Sequence, residues 1–326
     1  MSQWIAGIST GHNAGVCLLK DGEIIFSIEE ERLSKTKHDG GPILSLMKIL
    51  EYTDKIDYLV VTGLLSHPDS PVSSMIEYSG EPLYQGIARR LGLIEQSKNK
   101  TYPDEQLPQV INMFNNHHQL HSAIAFYNSG FKTATSVIVD SSGSCEVLQQ
   151  MTQIMGKPMV LGDSITYFET ESFYDCSYQK GILPIYRKMM SDNGKSFTRK
   201  QKQEVLVVDE GAGIGKVWDS ITNYCGFHIN ESGKTMGLSA YGCENDEMPD
   251  LFIDDTANKD LVKAYYPYRA ELNMFKYDIL NDADWDKEDL SNSTGRRNMA
   301  FKVQKETQEQ VLNLILKASE MSNNKN

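Results

Sequence analysis

His117 and His121 stand four positions apart in the run His117-His118-Gln119-Leu120-His121. If that run is helical, the two side chains share one face and both imidazoles can reach a single metal ion. Asp140 closes the β-rich run Ser136-Val137-Ile138-Val139 further along the chain, where a strand end can add a carboxylate to the same crevice. Two histidines and one carboxylate with open positions suit a divalent metal, and iron, manganese and zinc all accept that donor set. The intervening residues carry no glutamate, so the run is not the HExxH pattern of metalloproteases.

A second group lies near the start. Gly11-His12-Asn13-Ala14-Gly15 sets a polar ring between glycines, whose backbone N–H groups can approach an anion. Histidine titrates near neutrality, so His12 is a candidate base for a hydroxyl, although it also fits an ordinary turn. Lys35 and Lys37 in EEERLSKTKHD would meet a phosphate there or solvate a strand end. In Glu231-Ser232-Gly233-Lys234-Thr235-Met236-Gly237-Leu238-Ser239-Ala240-Tyr241-Gly242, the cation Lys234 sits among glycines that let backbone approach a ligand, and a capped surface loop fits equally. No GxxxxGK[ST] motif occurs, and Gly211-Ala212-Gly213-Ile214-Gly215-Lys216 matches a dinucleotide loop only superficially.

The elements that must hold these residues follow from periodicity. WIAGIST, GVCLLK and EIIFSIEEER read as a three-strand meander, with Asp21-Gly22 as a hairpin turn. Ile43, Leu46, Met47 and Leu50 recur at helical spacing, and Tyr58-Leu59-Val60-Val61 reads as a buried strand. Residues 64–107 are turn-rich and polar, with a helix expected around Leu83 to Leu91, and read as an insertion between a first subdomain (1–63) and the remainder (108–326). Val110 to Phe114, the histidine run and Ser136 to Val139 give strand, helix, strand.

Alternation in Glu146 to Met151 and Ser164 to Thr170 predicts more paired strands, whereas 186–204 is expected to be a Lys/Arg-rich loop or helix whose charges face solvent. Ile214, Val217, Trp218, Ile221 and Cys225 mark an amphipathic helix. Val303, Thr307, Val311, Leu314, Ile315 and Ala318 mark another.

Composition narrows the function classes. With 326 residues the chain can bury a sizeable core, and its 40% hydrophobic and 23% charged residues are ordinary for a globular protein. No apolar run approaches the roughly 18 residues of a spanning helix, and the N-terminus lacks the layout of a signal peptide, so a cytoplasmic chain without membrane contact is expected. Five cysteines without a CxxC fit free thiols in a reducing compartment. A net charge of -12 disfavours direct docking on nucleic acid, which needs clustered Lys and Arg.

Taken in order, GISTGHNAGVCLLKDGEIIFSIEEERLSKTKHD, NHHQLHSAIAFYNSGF with VIVDSSG, GKVWDSITNYCGF with ESGKTMGLSAYG, and NMAFKVQKETQE resemble the O-carbamoyltransferases, the family of the tobramycin and cephamycin enzymes and related nodulation proteins. The resemblance is collinear over nearly the whole chain, leaving 64–107 and 176–210 unplaced. It implies an α/β, actin-like fold of the acetate and sugar kinase superfamily, in which β-meander-plus-helix subdomains close on a nucleotide. It also implies a reaction in which carbamoyl phosphate and ATP form a carbamoyl-adenylate and the carbamoyl group then moves to a small-molecule hydroxyl acceptor.

By the same resemblance His117, His121 and Asp140 are metal ligands and His12 the base. Lys37 contacts a phosphate or carbamoyl oxygen, with Lys35 as its rival, while Gly11, Glu231, Lys234 and Gly237 line the substrate and nucleotide site. The family continues past the helix resembling 299–321 with a glycine-rich strand segment, a further aspartate ligand and a YrdC-like domain. None of these is present before Asn326, so the fold is expected to be incomplete at its C-terminus, either because a separate polypeptide supplies the C-terminal half or because the sequence is a fragment. A non-catalytic scaffolding subunit of the same fold is one alternative, and a threonylcarbamoyl-transferase acting on transfer RNA is another.

Overall fold

The computed structural model describes residues 2–11, 13–63, 77–78, 81–82, 88–94, 110–113, 116–148, 151–154, 157–160, 165–191, 197–201, 203–209, 211–246, 248, 250–252, 293–322 and 324. They form two compact units, 1–117 and 118–326.

In the first unit, β1 (Trp4–Thr10), β2 (Gly15–Lys20) and β3 (Glu23–Glu29) make the expected meander, followed by the short helices α1 (Glu30–Ser34) and α2 (Ile43–Met47) and strand β4 (Tyr58–Gly63). The two-residue strands β5 (Glu77–Tyr78) and β6 (Glu81–Pro82) pair with each other, and β7 (Val110–Asn112) completes a five-stranded sheet in the order β3-β2-β1-β4-β7. β2 runs antiparallel to β1 and β3, whereas β1, β4 and β7 are mutually parallel. Asp21 (φ 51°) and Gly22 (φ 87°) both occupy the left-handed region, which the two-residue hairpin demands and which Asp-Gly tolerates.

Alternation buries Ala6, Ile8, Val16, Leu18, Leu59 and Val61 on one face, where Leu46, Ile49, Ala88, Leu93 and Ile94 close the core. Part of the 64–107 segment therefore belongs to the first core. The helical face expected over 43–50 is rotated. Leu46 and Ile49 point inward while Ile43, Met47 and Leu50 are exposed, because the helix tightens to a 3-10 turn over Lys48–Glu51.

Glu30 fixes the entry to α2. Its buried carboxylate accepts hydrogen bonds from the Leu44 N–H (2.8 Å), the Ser45 N–H (2.8 Å) and the Ser45 hydroxyl (2.6 Å), satisfying donors that a helix start leaves open.

Helix α3 (His117–Ser129), whose first residue closes the first unit, leads into the second, where β8 (Thr133–Val139) follows. The strands β9 (Cys145–Leu148), β10 (Met151–Ile154), β11 (Lys157–Val160), β12 (Ile165–Ser177), β13 (Gly181–Ser191), β14 (Phe197–Gln201) and β15 (Glu204–Asp209) follow. Helices α4 (Ile214–Tyr224), α5 (Ser232–Ser239) and α6 (Thr294–Met321) complete it. The main sheet has the order β14-β15-β13-β12-β8, with β9 paired to β12. On one face Phe173, Tyr186 and Val207 pack with Val217 and Ile221 of α4 and with Met299, Ala300, Val303 and Leu314 of α6. On the other, Phe126 of α3 packs on Ala134, Ile138, Tyr174, Cys176 and Ile182. Helices thus cover both faces.

The described residues of 186–204 lie almost wholly in strands rather than in a loop or helix. β13 is central and covered on both faces, so its burial does not alternate, and even Lys188 is 0% exposed instead of solvated. β14 is fully exposed along its length, an edge strand whose Arg199 and Lys200 discourage pairing with another chain. The 232–239 segment, for which a capped surface loop fitted as well as a ligand-binding one, is helix α5. A capping box between His228 and Glu231 introduces the turn before it, and α5 packs on α4 and α6, which outweighs the low propensity of Gly233 and Gly237.

Among the described residues no helix is long and apolar enough to cross a membrane. Cys176 and Cys225 are buried and Cys243 is exposed, and desolvation pushes the Cys225 thiol up to about 12. Titration of the folded chain with an aromatic disulfide is expected to modify Cys243 rapidly while Cys225 reacts only on unfolding, since the thiolate is the nucleophile.

Candidate metal centre

Each member of the His117, His121, Asp140 triplet is delivered by the start or end of a regular element. α3 begins at His117, so His117 and His121 sit one turn apart on the same helix. Asp140 follows the last residue of β8. One ligand atom from each of the three residues lies within 4.8 Å of the others; His117 and Asp140 are half-buried and His121 is exposed. Borderline imidazole nitrogens and a hard carboxylate oxygen meeting on an accessible rim fit a divalent transition metal that retains solvent or substrate positions.

The loop after β8 is held by backbone on two sides. The Asp140 N–H donates to the Thr170 carbonyl (2.9 Å), the Gly143 N–H donates to the Glu169 carbonyl (2.8 Å), and the Glu169 N–H donates back to the Ser144 carbonyl (3.1 Å). Asp140 Oδ1 accepts from the Ser141 N–H at 2.7 Å, which orients the carboxylate. The Ser141 hydroxyl donates to Asp219 on α4.

Glycines permit this closeness. A Cβ at Gly215 would fall 2.5 Å from the Asp140 carbonyl carbon, and one at Gly213 would fall 2.7 Å from Glu171 Oε1. Gly213 and Gly215 therefore let the start of α4 rest against β12 and the loop after β8.

Buried polar side chains line the underside. Glu171, 0% exposed, accepts from the Ile214 N–H (2.7 Å) and the Thr170 hydroxyl (2.6 Å), so it caps the N-terminus of α4. Glu169 accepts from the Ser144 N–H (3.1 Å) and lies 3.4 Å from Arg187 Nη1. Desolvation raises its carboxyl above the usual range despite the guanidinium. His118 is completely buried, with Nδ1 2.8 Å from Ser172 Oγ. Sequence reasoning singled out none of Glu169, Glu171, His118 or Asp219 for a role. The doubled histidine and the glycine run were the visible signals, and what they pack against is set by strands distant in sequence.

In the first unit Gly11 is in the left-handed region (φ 116°), and a Cβ at Gly40 would come within 3.0 Å of the Gly11 carbonyl oxygen. The Ala14 N–H also donates to the Asp39 carbonyl (3.2 Å), so the Gly11 turn lies against the segment that follows Lys37. His12 lies outside the described residues. Lys37 Nζ is 3.5 Å from Glu31 Oε1 on an exposed side chain, a pairing that costs little to break. Lys35 Nζ donates to the Arg32 carbonyl at 2.8 Å.

On α5 Lys234 pairs with Glu231 at 2.6 Å and stands 5.7 Å from the centre of the Phe227 ring, while Gly237 is exposed with open space beside it. Glu231, Lys234 and Gly237 thus share one accessible surface of the second unit.

The sequence matches the protein family described as Carbamoyltransferase N-terminus over residues 4–69 and 80–321. Among curated proteins it is 25% identical to the uncharacterized protein sll1178 of Synechocystis sp., over 84% of this chain and 39% of that one. It is 20% identical to the nodulation protein NolNO of Sinorhizobium fredii, over 95% of this chain and 39% of that protein. It is also 24% identical to the uncharacterized protein MJ1051 of Methanocaldococcus jannaschii, over 74% of this chain and 34% of that protein. The chain therefore spans about two-fifths of the length of these relatives.

Proposed function

The chain belongs to the carbamoyltransferase N-terminus family, and from that premise we propose that it is the metal- and nucleotide-binding part of an O-carbamoyltransferase. In this reading carbamoyl phosphate is hydrolysed to carbamate and phosphate, the carbamate displaces pyrophosphate from ATP to give a carbamoyl-adenylate, and the carbamoyl group then passes to the hydroxyl of a small-molecule acceptor with release of AMP. The observation that carries the proposal is the convergence of His117, His121 and Asp140 within 4.8 Å in a chain of this family.

An actin-like architecture is part of the same reading. The order β3-β2-β1-β4-β7, antiparallel through the meander and parallel beyond it, supports it, as does the second meander β8-β12-β13.

The residue roles follow from chemistry. His117 and His121 present imidazole nitrogens and Asp140 a carboxylate oxygen, and together they hold one divalent ion, iron, manganese or zinc. When bound, that ion supplies Lewis-acid stabilisation of negative charge on phosphate or carbonyl oxygens. His12 takes the proton of the acceptor hydroxyl as it attacks, and the flanking glycines let the substrate approach. Lys37, whose exposed side chain pairs with Glu31 at 3.5 Å, swings its ammonium onto a phosphate or carbamoyl oxygen. Gly11 offers backbone to the same anion, while Glu231, Lys234 and Gly237 contact the nucleotide. The region of the relatives that lies outside this match is the part expected to complete the nucleotide site and handle carbamoyl phosphate.

The test is formation of carbamoyl-adenylate from ATP and carbamoyl phosphate by this chain together with the region that lies outside the match in its relatives, compared with the same protein carrying His121→Ala. Product is expected from the first and not from the second. No product from the first would refute the enzymatic reading, and equal product from a folded His121→Ala protein would refute the role given to the metal centre.

A further inference from the structure

His118 lies between two candidate ligands in sequence yet is absent from the ligand triplet. Its ring is completely buried, Nδ1 is 2.8 Å from Ser172 Oγ on β12, and Nε2 is 3.9 Å from Asp140 Oδ2. Gly143 makes room for it, since a Cβ there would fall 2.5 Å from Nε2. We infer that His118 is a positioning residue for Asp140: Ser172 fixes its ring so that Nε2 turns an N–H toward the carboxylate and sets the direction in which Asp140 offers its oxygens to a metal.

The argument rests on donors and acceptors. A hydroxyl can donate to Nδ1 or accept from it. If Nδ1 carried the proton, Nε2 would turn a lone pair toward the Asp140 carboxylate, which is repulsive. With the Ser172 hydroxyl donating to Nδ1, the proton sits on Nε2 and faces Oδ2, which is attractive. Asp140 is then addressed on both oxygens, Oδ1 by the Ser141 N–H at 2.7 Å and Oδ2 by the imidazole. A separation of 3.9 Å is longer than a hydrogen bond, so the imidazole steers Oδ2 electrostatically and leaves the oxygen able to turn toward an ion. Groups that orient a ligand in this way typically change metal affinity by about 10- to 100-fold.

The inference depends on the metal reading above and is tested separately from it by titrating the chain with Co(II) and following its d–d absorption. The wild-type chain is expected to bind, and His121→Ala to abolish binding. His118→Phe, which fills the site without polar atoms, should weaken binding by about 10- to 100-fold and alter the d–d bands. His118→Gln, which restores an N–H near Nε2, should recover most of the loss. Ser172→Ala should weaken binding less, in the same direction, and decides the matter if His118→Phe does not fold. A wild-type chain that binds no Co(II) overturns the metal reading and this inference with it. Normal wild-type binding with unchanged affinity and spectrum in folded His118→Phe, or in Ser172→Ala when the former is unfolded, overturns the positioning role alone.

Discussion

Replacing Gly215 with alanine is expected to destabilise the second unit by about 3 kcal/mol and lower its Tm by roughly 10 °C, an unusually large effect for adding one methyl group. The added Cβ would lie 2.5 Å from the Asp140 carbonyl carbon and 2.6 Å from its oxygen. Both are backbone atoms of a loop already tied to β12 through Thr170 and Glu169, so no flexible side chain can swing away. Relief must come from sliding α4 outward or displacing Asp140. The first loosens Val217 and Ile221 from the core, and the second moves a candidate ligand. Gly237→Ala is the matched control, because that glycine is helical with open space around it and alanine there should gain about 0.5–1 kcal/mol. Thermal denaturation of both variants checks the pair, and a Gly215→Ala variant as benign as Gly237→Ala would contradict the packing described for the loop after β8.

The second large effect is expected at Glu171. Glu171→Ala removes a fully buried carboxylate that accepts from the Ile214 N–H at 2.7 Å and from the Thr170 hydroxyl at 2.6 Å. The Ile214 N–H loses its partner, the Thr170 hydroxyl keeps only the Lys188 carbonyl at 3.3 Å, a cavity opens, and the start of α4 loses its cap, for an expected loss of about 3 kcal/mol. Glu171→Gln keeps one acceptor oxygen and should cost visibly less. Urea unfolding of the two variants measures the difference. A loss below about 1 kcal/mol for Glu171→Ala would mean that the cap contributes little.

Both sites show how far the residues could be read before the fold was known. The meander and its Asp21-Gly22 turn were legible because alternation and turn chemistry are local. The α4 and α6 helices were legible because their apolar faces repeat at helical spacing. His117 and His121 needed only a helix, and Asp140 only a strand end.

What stayed hidden depends on neighbours remote in sequence. β13 lost its alternation because both its faces are covered, and the buried Lys188 made it look like solvated surface. α5 carries two glycines and reads as a loop until α4 and α6 pack on it. The apolar stripe of α6 shows the same limit. Leu314 is buried and Val311 packs on the core, as spacing suggests, but Ile315 is half exposed beside Leu312 and Leu316.

The measurement closest to the central claim is metal content. After purification, removal of adventitious metal with a chelator and reloading with zinc, manganese or iron in separate experiments, the wild-type chain is expected to retain about one equivalent of at least one of these ions by elemental analysis. His121→Ala, whose side chain is exposed and whose loss should leave the fold intact, is expected to retain far less. Equal retention by the wild type and a folded His121→Ala would contradict the assignment of His117, His121 and Asp140 as the metal centre.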